Sequence, residues 1–482
     1  MKKIFLVLTI TLFAISAFSQ NSTQREQEEW KPSQDEYTNF DIGKYITPDI
    51  VRNQLDINLN LHSDYSRSSS DTNSTTNESS NSIYTGNISS YFSRYVNTRK
   101  KISNFGSNLS FNGDYNSNKY EWISVNDNLI IIDNNLKNVS TSSLYLNWLN
   151  RRYFSKLIFI DYGIYSGVSY NLAHNIIKNQ SEDSNEKQKE LCLNVSLRLG
   201  VGYGRIEDVQ DARQAVYIAG ALSKKNVLTR NLSNDELFEL SQKISTVKNK
   251  RFLDSRLHLI DEITSVDSFF VNNNLLADND AAYFTTLYDM WQYGDLFARR
   301  SGYEISLVAR PYSVRQNEKY TPMMREHLYT SNQYIVSLDF RYEKPFKLNW
   351  QHSVTAGGNG GIYSYRQRDK QTDNNYTYNT DSKLFSVYAN YSLGYYPNTR
   401  TNILVTASQQ ISKYMYDDER NIMNFYSTLS ANLYYYFSPN LRLAGDCRLM
   451  YMPSCIKGKD GYFSNGNQFS SLLNIQFTYY IF

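Results

Sequence analysis

The sequence predicts an all-β transmembrane antiparallel β-barrel of about 14 strands (12–16), with an α-helical insertion on the periplasmic side. Three observations carry that prediction. Beyond residue 20 there is no run of the roughly 20 apolar residues that a spanning helix needs, although 42 of the 482 residues are tyrosine. Apolar and polar residues alternate at every step over many segments. The connections between those segments alternate in length.

The start of the chain comes first. Met1, Lys2 and Lys3 precede the apolar run Ile4 to Phe18, and Ala17-Phe18-Ser19 offers small residues for cleavage. This pattern predicts a signal peptide over residues 1–19. A polar periplasmic segment follows over 20–50, then barrel strands 1–6 over 51–204, the helical insertion over 205–300 and strands 7–14 over 301–482. The three cysteines, Cys192, Cys447 and Cys455, build no disulfide framework, and a net charge of +3 is too small and dispersed for nucleic acid.

Successive side chains on a strand point to opposite faces, so a barrel wall is apolar at every second position. Leu55, Ile57, Leu59 and Leu61 keep that period, as do Leu191 to Val201, Tyr334 to Tyr342 and Phe385 to Tyr395, each at odd or even positions only. Between strands the polar "SDYSRSSSDTNSTTNESSNS", "SVRQNEKYTPMMREHLYTSN" and "RQRDKQTDNNYTYNTDS" read as long outer loops. "NTRKK", "NRRYFSK", "EKPFK", "YPNTR" and "SPN" read as short turns on the opposite side. Outer-membrane barrels place long loops outside and short turns in the periplasm.

By these patterns the chain resembles bacterial outer-membrane β-barrel proteins, in particular the Tyr- and Asn-rich porin-like proteins of Bacteroidota, which are Gram-negative. The resemblance covers the signal peptide, the alternating body and the terminal strand "LLNIQFTYYIF". It implies residence in the cell outer membrane, contact with its lipid, and insertion by the barrel-assembly machinery, which reads a terminal aromatic such as Phe482. In that class further apolar residues keep phase with the last one. Here Tyr480 fits, whereas Gln476 and Thr478 do not.

The helical period begins near Arg205. Val209, Ala212, Val216 and Ala219 recur at helical spacing, with Asp208 as the expected N-cap. Ser233 and Glu236 form a capping-box pattern. Leu253, Leu257 and Ile260 mark a third stripe. Asp280 opens a fourth helix carrying Phe284, Leu287, Tyr288 and Trp291. Gly204, Arg205, Glu207, Asp208 and Asp211 form the strand-helix junction, where Arg205 has three acidic candidates for a partner. The insertion either braces the barrel, closes its mouth or docks a periplasmic protein partner.

With the apolar positions against lipid, the polar ones face the lumen. They include Asp161, Arg198, Glu304, Arg310, Asp339, Arg341, Arg442, Asp446 and Arg448, with Asp56 and Asp114 as further acidic members. The mixed signs predict a salt-bridged interior or a polar channel with little charge preference. Trp148, Tyr153, Trp350 and Tyr395 suit interfacial girdles, and Gly357, Gly358, Gly360 and Gly361 mark a bend. The leading expectation is porin-like passage of small solutes, passive or gated. One alternative is a non-conducting barrel that anchors a periplasmic partner or presents extracellular binding loops. A second is an outer-membrane enzyme with a rim site near His174 or His327. No motif favours catalysis, so no enzyme activity, catalytic residue, cofactor or metal is expected.

Overall fold

The computed structural model describes residues 37–479, apart from 38, 73–74, 125–128, 179–182, 250–258, 278–279, 294–297, 323, 372–374, 439–440 and 459–462. Fourteen strands follow one another in a single antiparallel sheet, each pairing with its neighbours in chain order. The first six are β1 (Ile50–Asp71), β2 (Thr75–Asn97), β3 (Lys101–Ser124), β4 (Leu129–Tyr153), β5 (Ile158–Lys178) and β6 (Asp183–Asp208). Four helices intervene: α1 (Gln210–Lys224), α2 (Asn234–Asn249), α3 (Leu259–Asn272) and α4 (Ala281–Tyr293). The sheet resumes with β7 (Arg300–Thr321), β8 (Arg325–Phe346), β9 (Trp350–Lys370), β10 (Asn375–Tyr395), β11 (Thr401–Tyr416), β12 (Asn421–Ser438), β13 (Leu441–Lys457) and β14 (Phe463–Tyr479). None of the described helices is long and apolar enough to cross a membrane.

The register makes one face apolar from edge to edge. Leu59 on β1 opposes Ile88 on β2, which opposes Phe111 on β3. Leu199 on β6 opposes Tyr162 on β5 and Ala309 on β7. Val336 on β8 opposes Gly360 on β9, and Tyr391 on β10 opposes Val354 and Ala407. Cys447 on β13 opposes Leu473 on β14. This apolar face is the accessible one: Leu61 is 77% exposed, Val387 62% and Phe477 65%. The opposite face is polar and holds the buried Asp161, Glu304, Ser306, Ser337, Ser386 and Ser412. Soluble sheets bury the other side.

Two expectations are corrected here. The polar stretches assigned to long loops are strands. β1 continues to Asp71 and β2 starts at Thr75, with Arg67 bonded to Glu78 at 2.9 Å and Ser68 to Ser79 at 2.7 Å. Backbone groups need partners whatever the side chains are, and hairpin pairing supplies them without an apolar face. β1 to β10 are 21 to 26 residues long, whereas β11 to β14 have 16 to 18. At about 3.3 Å per residue the tall strands approach 70 Å or more, so polar hairpins extend far past the apolar band.

The change of period also falls later than Arg205, because Arg205 to Asp208 still pair with Tyr303 to Arg300 on β7. As the sequence reads, the apolar face of β14 takes the odd positions Leu473, Ile475, Phe477 and Tyr479, while Gln476 and Thr478 share the polar face. Tyr480 and Phe482 lie outside the described residues.

Among the described residues, the large apolar core is that of the helices. Val209, Ala212, Val216 and Ala219 are fully buried, packed with Leu237, Leu240 and Ile244 of α2, Phe270 of α3 and Tyr283 and Leu287 of α4. Residues 37–49, expected as part of a merely polar lead, are built into this core through Tyr37, Phe40, Ile42 and Tyr45. Tyr45 Oη bonds Ser245 Oγ at 2.8 Å, and the Phe40 and Phe238 rings lie 4.8 Å apart. Ser233 and Glu236 form the capping box: Ser233 N–H donates to Glu236 Oε2 at 2.8 Å, and Glu236 N–H to Ser233 Oγ at 3.3 Å. Asp280 caps α4 by accepting from Tyr283 N–H at 2.9 Å.

Asp208 does not cap α1; Val209 occupies that position without a side-chain bond, and Asp208 turns to Arg300 at 3.3 Å. In α3 the buried stripe is Ile263, Val266, Phe269 and Phe270, while Ile260 points outward. Leu253 and Leu257 lie outside the described residues. Phe284 of α4 is also half-exposed rather than part of the packed stripe.

Candidate functional site

The polar face carries its densest charge near the helix-side end of β4 to β7. Arg151 Nε donates to Asp161 Oδ1 at 2.7 Å, and its Nη1 donates to Glu304 Oε2 at 2.6 Å. Arg198 Nη2 closes the group on Asp161 Oδ2 at 3.0 Å. Beneath Arg151 lies the fully buried Phe159 ring, 3.8 Å from the guanidinium carbon to the ring centre. Two bidentate-capable guanidiniums and two carboxylates thus neutralise one another where burial would otherwise penalise each charge. Asp161, Arg198 and Glu304 were expected on this face. Arg151, which joins them, was missed because "NRRYFSK" reads as a turn.

Further along the face, Arg310 Nη2 reaches Asp339 Oδ2 at 3.3 Å, and the Tyr388 hydroxyl bonds the other Asp339 oxygen. Arg442 donates to the Tyr434 hydroxyl at 3.1 Å. Arg341 opposes Glu304 across β7 and β8 in register, and Asp446 and Arg448 face the same side on β13. Asp56 and Asp114 also belong to this side of the sheet. At the end away from the helices His327 Nδ1 meets Asp369 Oδ1 at 2.6 Å, with the Tyr329 ring stacked 6.1 Å away. His174, expected in a loop, sits on β5 against Asn185 at 2.8 Å.

The junction is built around Gly204 and Arg205. Gly204 has φ +108°, and a β-carbon there would lie 2.1 Å from the Tyr303 carbonyl oxygen, so only glycine fits. Of its three candidates, Arg205 takes Glu207, Nε to Oε1 at 2.7 Å. It also donates to Asn97 Oδ1 at 2.7 Å and to the Thr98 and Arg99 carbonyls of the β2–β3 turn. Arg99 returns the contact to Glu207 at 2.7 Å. Asp211 instead holds Ser245 and Lys248 of α2, the latter at 2.8 Å. Tyr153 faces this polar side beneath Arg205, with 4.9 Å from guanidinium to ring centre, and is buried. It is no girdle residue. Trp350 and Tyr395 pack at 4.3 Å on the apolar side, as Trp148 also does beside Tyr162.

Two buried arginines, unmarked by any sequence motif, fasten the helices to the sheet. Arg213 of α1 donates to the Tyr396 and Asn398 carbonyls of the β10–β11 turn at 3.2 and 3.1 Å. Arg299 donates to the Leu348 and Trp350 carbonyls of the β8–β9 turn at 2.8 and 2.7 Å. Both guanidiniums lie against the Tyr396 ring, at 5.4 and 4.9 Å. Burial, and then the nearby Arg213 charge, press the Arg299 pKa below its ordinary value. Their only sequence signal is a charge on a helical stripe that is otherwise buried, and Arg213 alone shows it.

The fold and this site define an antiparallel β-sheet protein with an accessible apolar face, an ion-paired polar face and a helical cover pinned over one end. No protein-family model matches the chain, and no curated protein matches it.

Proposed function

We propose that the sheet closes, β1 against β14, into an outer-membrane barrel that passes small polar solutes, with the helical unit throttling its periplasmic mouth. The observation carrying this reading is the inverted burial: an apolar, accessible face continuous over fourteen strands and a polar, buried, ion-paired face opposite it. Lipid suits the first face and a lumen the second. The edges support closure, since β1 and β14 both expose apolar side chains and run antiparallel. The Arg213 and Arg299 contacts support a mouth cover, since they tie the β8–β9 and β10–β11 turns to one helical unit.

The test is planar-bilayer conductance of the intact chain beside a variant with residues 209–299 replaced by a short turn. Discrete conductance steps that grow in the variant support a throttled pore. Silence from both, with heat-modifiable gel mobility proving that they fold, removes passage and leaves a non-conducting anchor. That second reading is favoured by one observation: the Arg151 group draws four charged side chains together on the polar side next to the helices.

A further inference from the structure

One cross-strand row of the polar face leaves its hydrogen-bonding groups unused. Register sets Tyr165 on β5 opposite Ser196 on β6, and Ser196 opposite Tyr312 on β7. Tyr312 opposes Gln333 on β8, which opposes Tyr363 on β9, and Tyr363 opposes Ser382 on β10. Tyrosine thus alternates with serine or glutamine on six consecutive strands. Each lies an even number of residues from a polar-face member of its own strand, Asp161, Arg198, Glu304, Asp339, Asp369 or Ser386, so all six share that face. Tyr416 on β11 ends the row, its ring already covered by the Arg420 guanidinium at 5.1 Å.

None of the six side chains hydrogen-bonds another described group. Tyr165 is 39% exposed, and Tyr312 and Tyr363 are partly so. Charges lie to either side of the row, and they are paired. On the helix side Arg198 holds Asp161 at 3.0 Å and Arg310 holds Asp339 at 3.3 Å. Toward the hairpin tips His327 holds Asp369 at 2.6 Å, while Gln316 bonds Glu190 at 2.9 Å and Glu318 at 2.7 Å. Between these groups the row offers hydroxyls, one amide and aromatic rings, without charge. Beside it the Tyr145 ring of β4 lies over Gly167, where a β-carbon would fall 2.6 Å from the ring. The Tyr145 and Tyr165 rings are nearly parallel, at 21° with centres 6.4 Å apart, and widen the aromatic surface.

We infer that this row binds an uncharged oligosaccharide. Tyr145, Tyr165, Tyr312 and Tyr363 stack on the apolar faces of its sugar rings, and Ser196, Gln333 and the tyrosine hydroxyls bond its hydroxyl groups. The inference rests on the reading of the polar face as a lumen. Tyrosine supplies an apolar ring and a polar tip at once, and hydroxyls and amides both donate and accept, as sugar hydroxyls require. A group without a protein partner takes a sugar hydroxyl at little cost, whereas the paired arginines and carboxylates would first have to part. A charged ligand finds no counter-charge in the row. Tyr165, Tyr312 and Tyr363 follow one another at two strand spacings, about 10 Å, so a chain of several sugar units meets more rings than a single unit does.

The experiment titrates the full chain in detergent by calorimetry with maltohexaose, cellohexaose and mannohexaose. Hexagalacturonate and end-capped hexaglycine serve as the charged and the peptide comparison. The variants are Tyr165→Ala/Tyr312→Ala/Tyr363→Ala, Tyr165→Phe/Tyr312→Phe/Tyr363→Phe and a control, Tyr120→Ala/Tyr426→Ala, which removes two exposed tyrosines of the same face off the row. Heat-modifiable mobility scores the folding of each, and bilayer conductance is recorded separately. The expected result is binding of at least one neutral hexasaccharide, weakened at least about tenfold by the alanine variant and a few-fold by the phenylalanine variant. The control and added salt leave it unchanged. No binding of any neutral hexasaccharide, undiminished binding by the folded alanine variant, or equal binding of hexagalacturonate or hexaglycine overturns the inference, and conductance then decides the pore by itself. Silent bilayers with sugar binding intact remove passage and keep the site. Should the alanine variant misfold, wild-type affinity in the phenylalanine variant, or sugar stripped by salt, overturns the inference all the same.

Discussion

Arg151 on β4 meets Glu304 on β7 at 2.6 Å, although β5 and β6 lie between them. Neighbouring strands are about 4.8 Å apart, so a flat sheet would separate these backbones by about 14 Å. The two long side chains therefore reach toward each other across the polar face, with Asp161 of β5 bonded to the same guanidinium between them. Removing one partner strands a part-buried charge, at a cost of about 3 kcal/mol. Glu304→Gln should lower the unfolding midpoint in urea, whereas Arg151→Met/Glu304→Leu should recover part of that loss. A double variant no better than the sum of the singles would show that the two side chains are uncoupled.

Gly204 gives a sharper expectation. Its φ of +108° and the 2.1 Å approach of the Tyr303 carbonyl leave no room for a methyl group. Gly204→Ala must move the β6–β7 pairing at the place where the chain leaves the sheet, costing about 2 kcal/mol or more. The yield of heat-modifiable protein should drop sharply, while Gly113→Ala, where an added methyl meets nothing within 4 Å, should leave it unchanged.

What the sequence revealed depended on whether side-chain period alone determines the structure. Leu55 to Leu61 and Leu191 to Val201 announce their strands because every second residue is apolar, and the count of about fourteen came from such periods together with the alternating lengths of the polar connections. On β2 the outward row reads Tyr84, Gly86, Ile88, Ser90 and Phe92, so glycine and serine blur the phase and only the register resolves it. The hairpin tips lack any apolar residue and looked like loops, since their strands are held by backbone pairing and by contacts such as Arg67–Glu78. Of the site, Asp161, Arg198 and Glu304 were legible as polar members of alternating strands. Arg151, Arg213 and Arg299 were not, because their partners lie on other strands and turns far away in sequence, which no local pattern encodes.

Acid should loosen α2 before the sheet. The Arg230 hydrogen bond, helped by Ser233, holds the Glu236 carboxyl down at about 2, from an ordinary 4.5. A folded value below the unfolded one means that the stabilisation is fully present above pH 4.5 and is lost as the pH falls toward 2. Solvent screening keeps the effect small. Hydrogen exchange at residues 236–240, corrected for intrinsic rates, should accelerate over that window. In Glu236→Gln it should already be fast at pH 7 and show no such step.

Arg213 and Arg299 hold the helical cover by donating to carbonyls at the β8–β9 and β10–β11 connections. Arg299→Met removes the guanidinium from the Leu348 and Trp350 carbonyls, of which the Leu348 bond is buried, at about 1–3 kcal/mol. Arg213→Met frees the Tyr396 and Asn398 carbonyls in the same way. The sheet has its own ladder and keeps its register, so the loss falls on docking. Limited proteolysis should therefore cut between residues 225 and 259 faster in either variant, and fastest in the double, while the strands stay resistant. Tyr396→Leu should show a smaller effect, since it removes the shared ring but neither set of hydrogen bonds. Cleavage at wild-type rates in the double variant would mean that apolar packing around Leu348 and the Tyr37–Tyr45 segment holds the cover unaided.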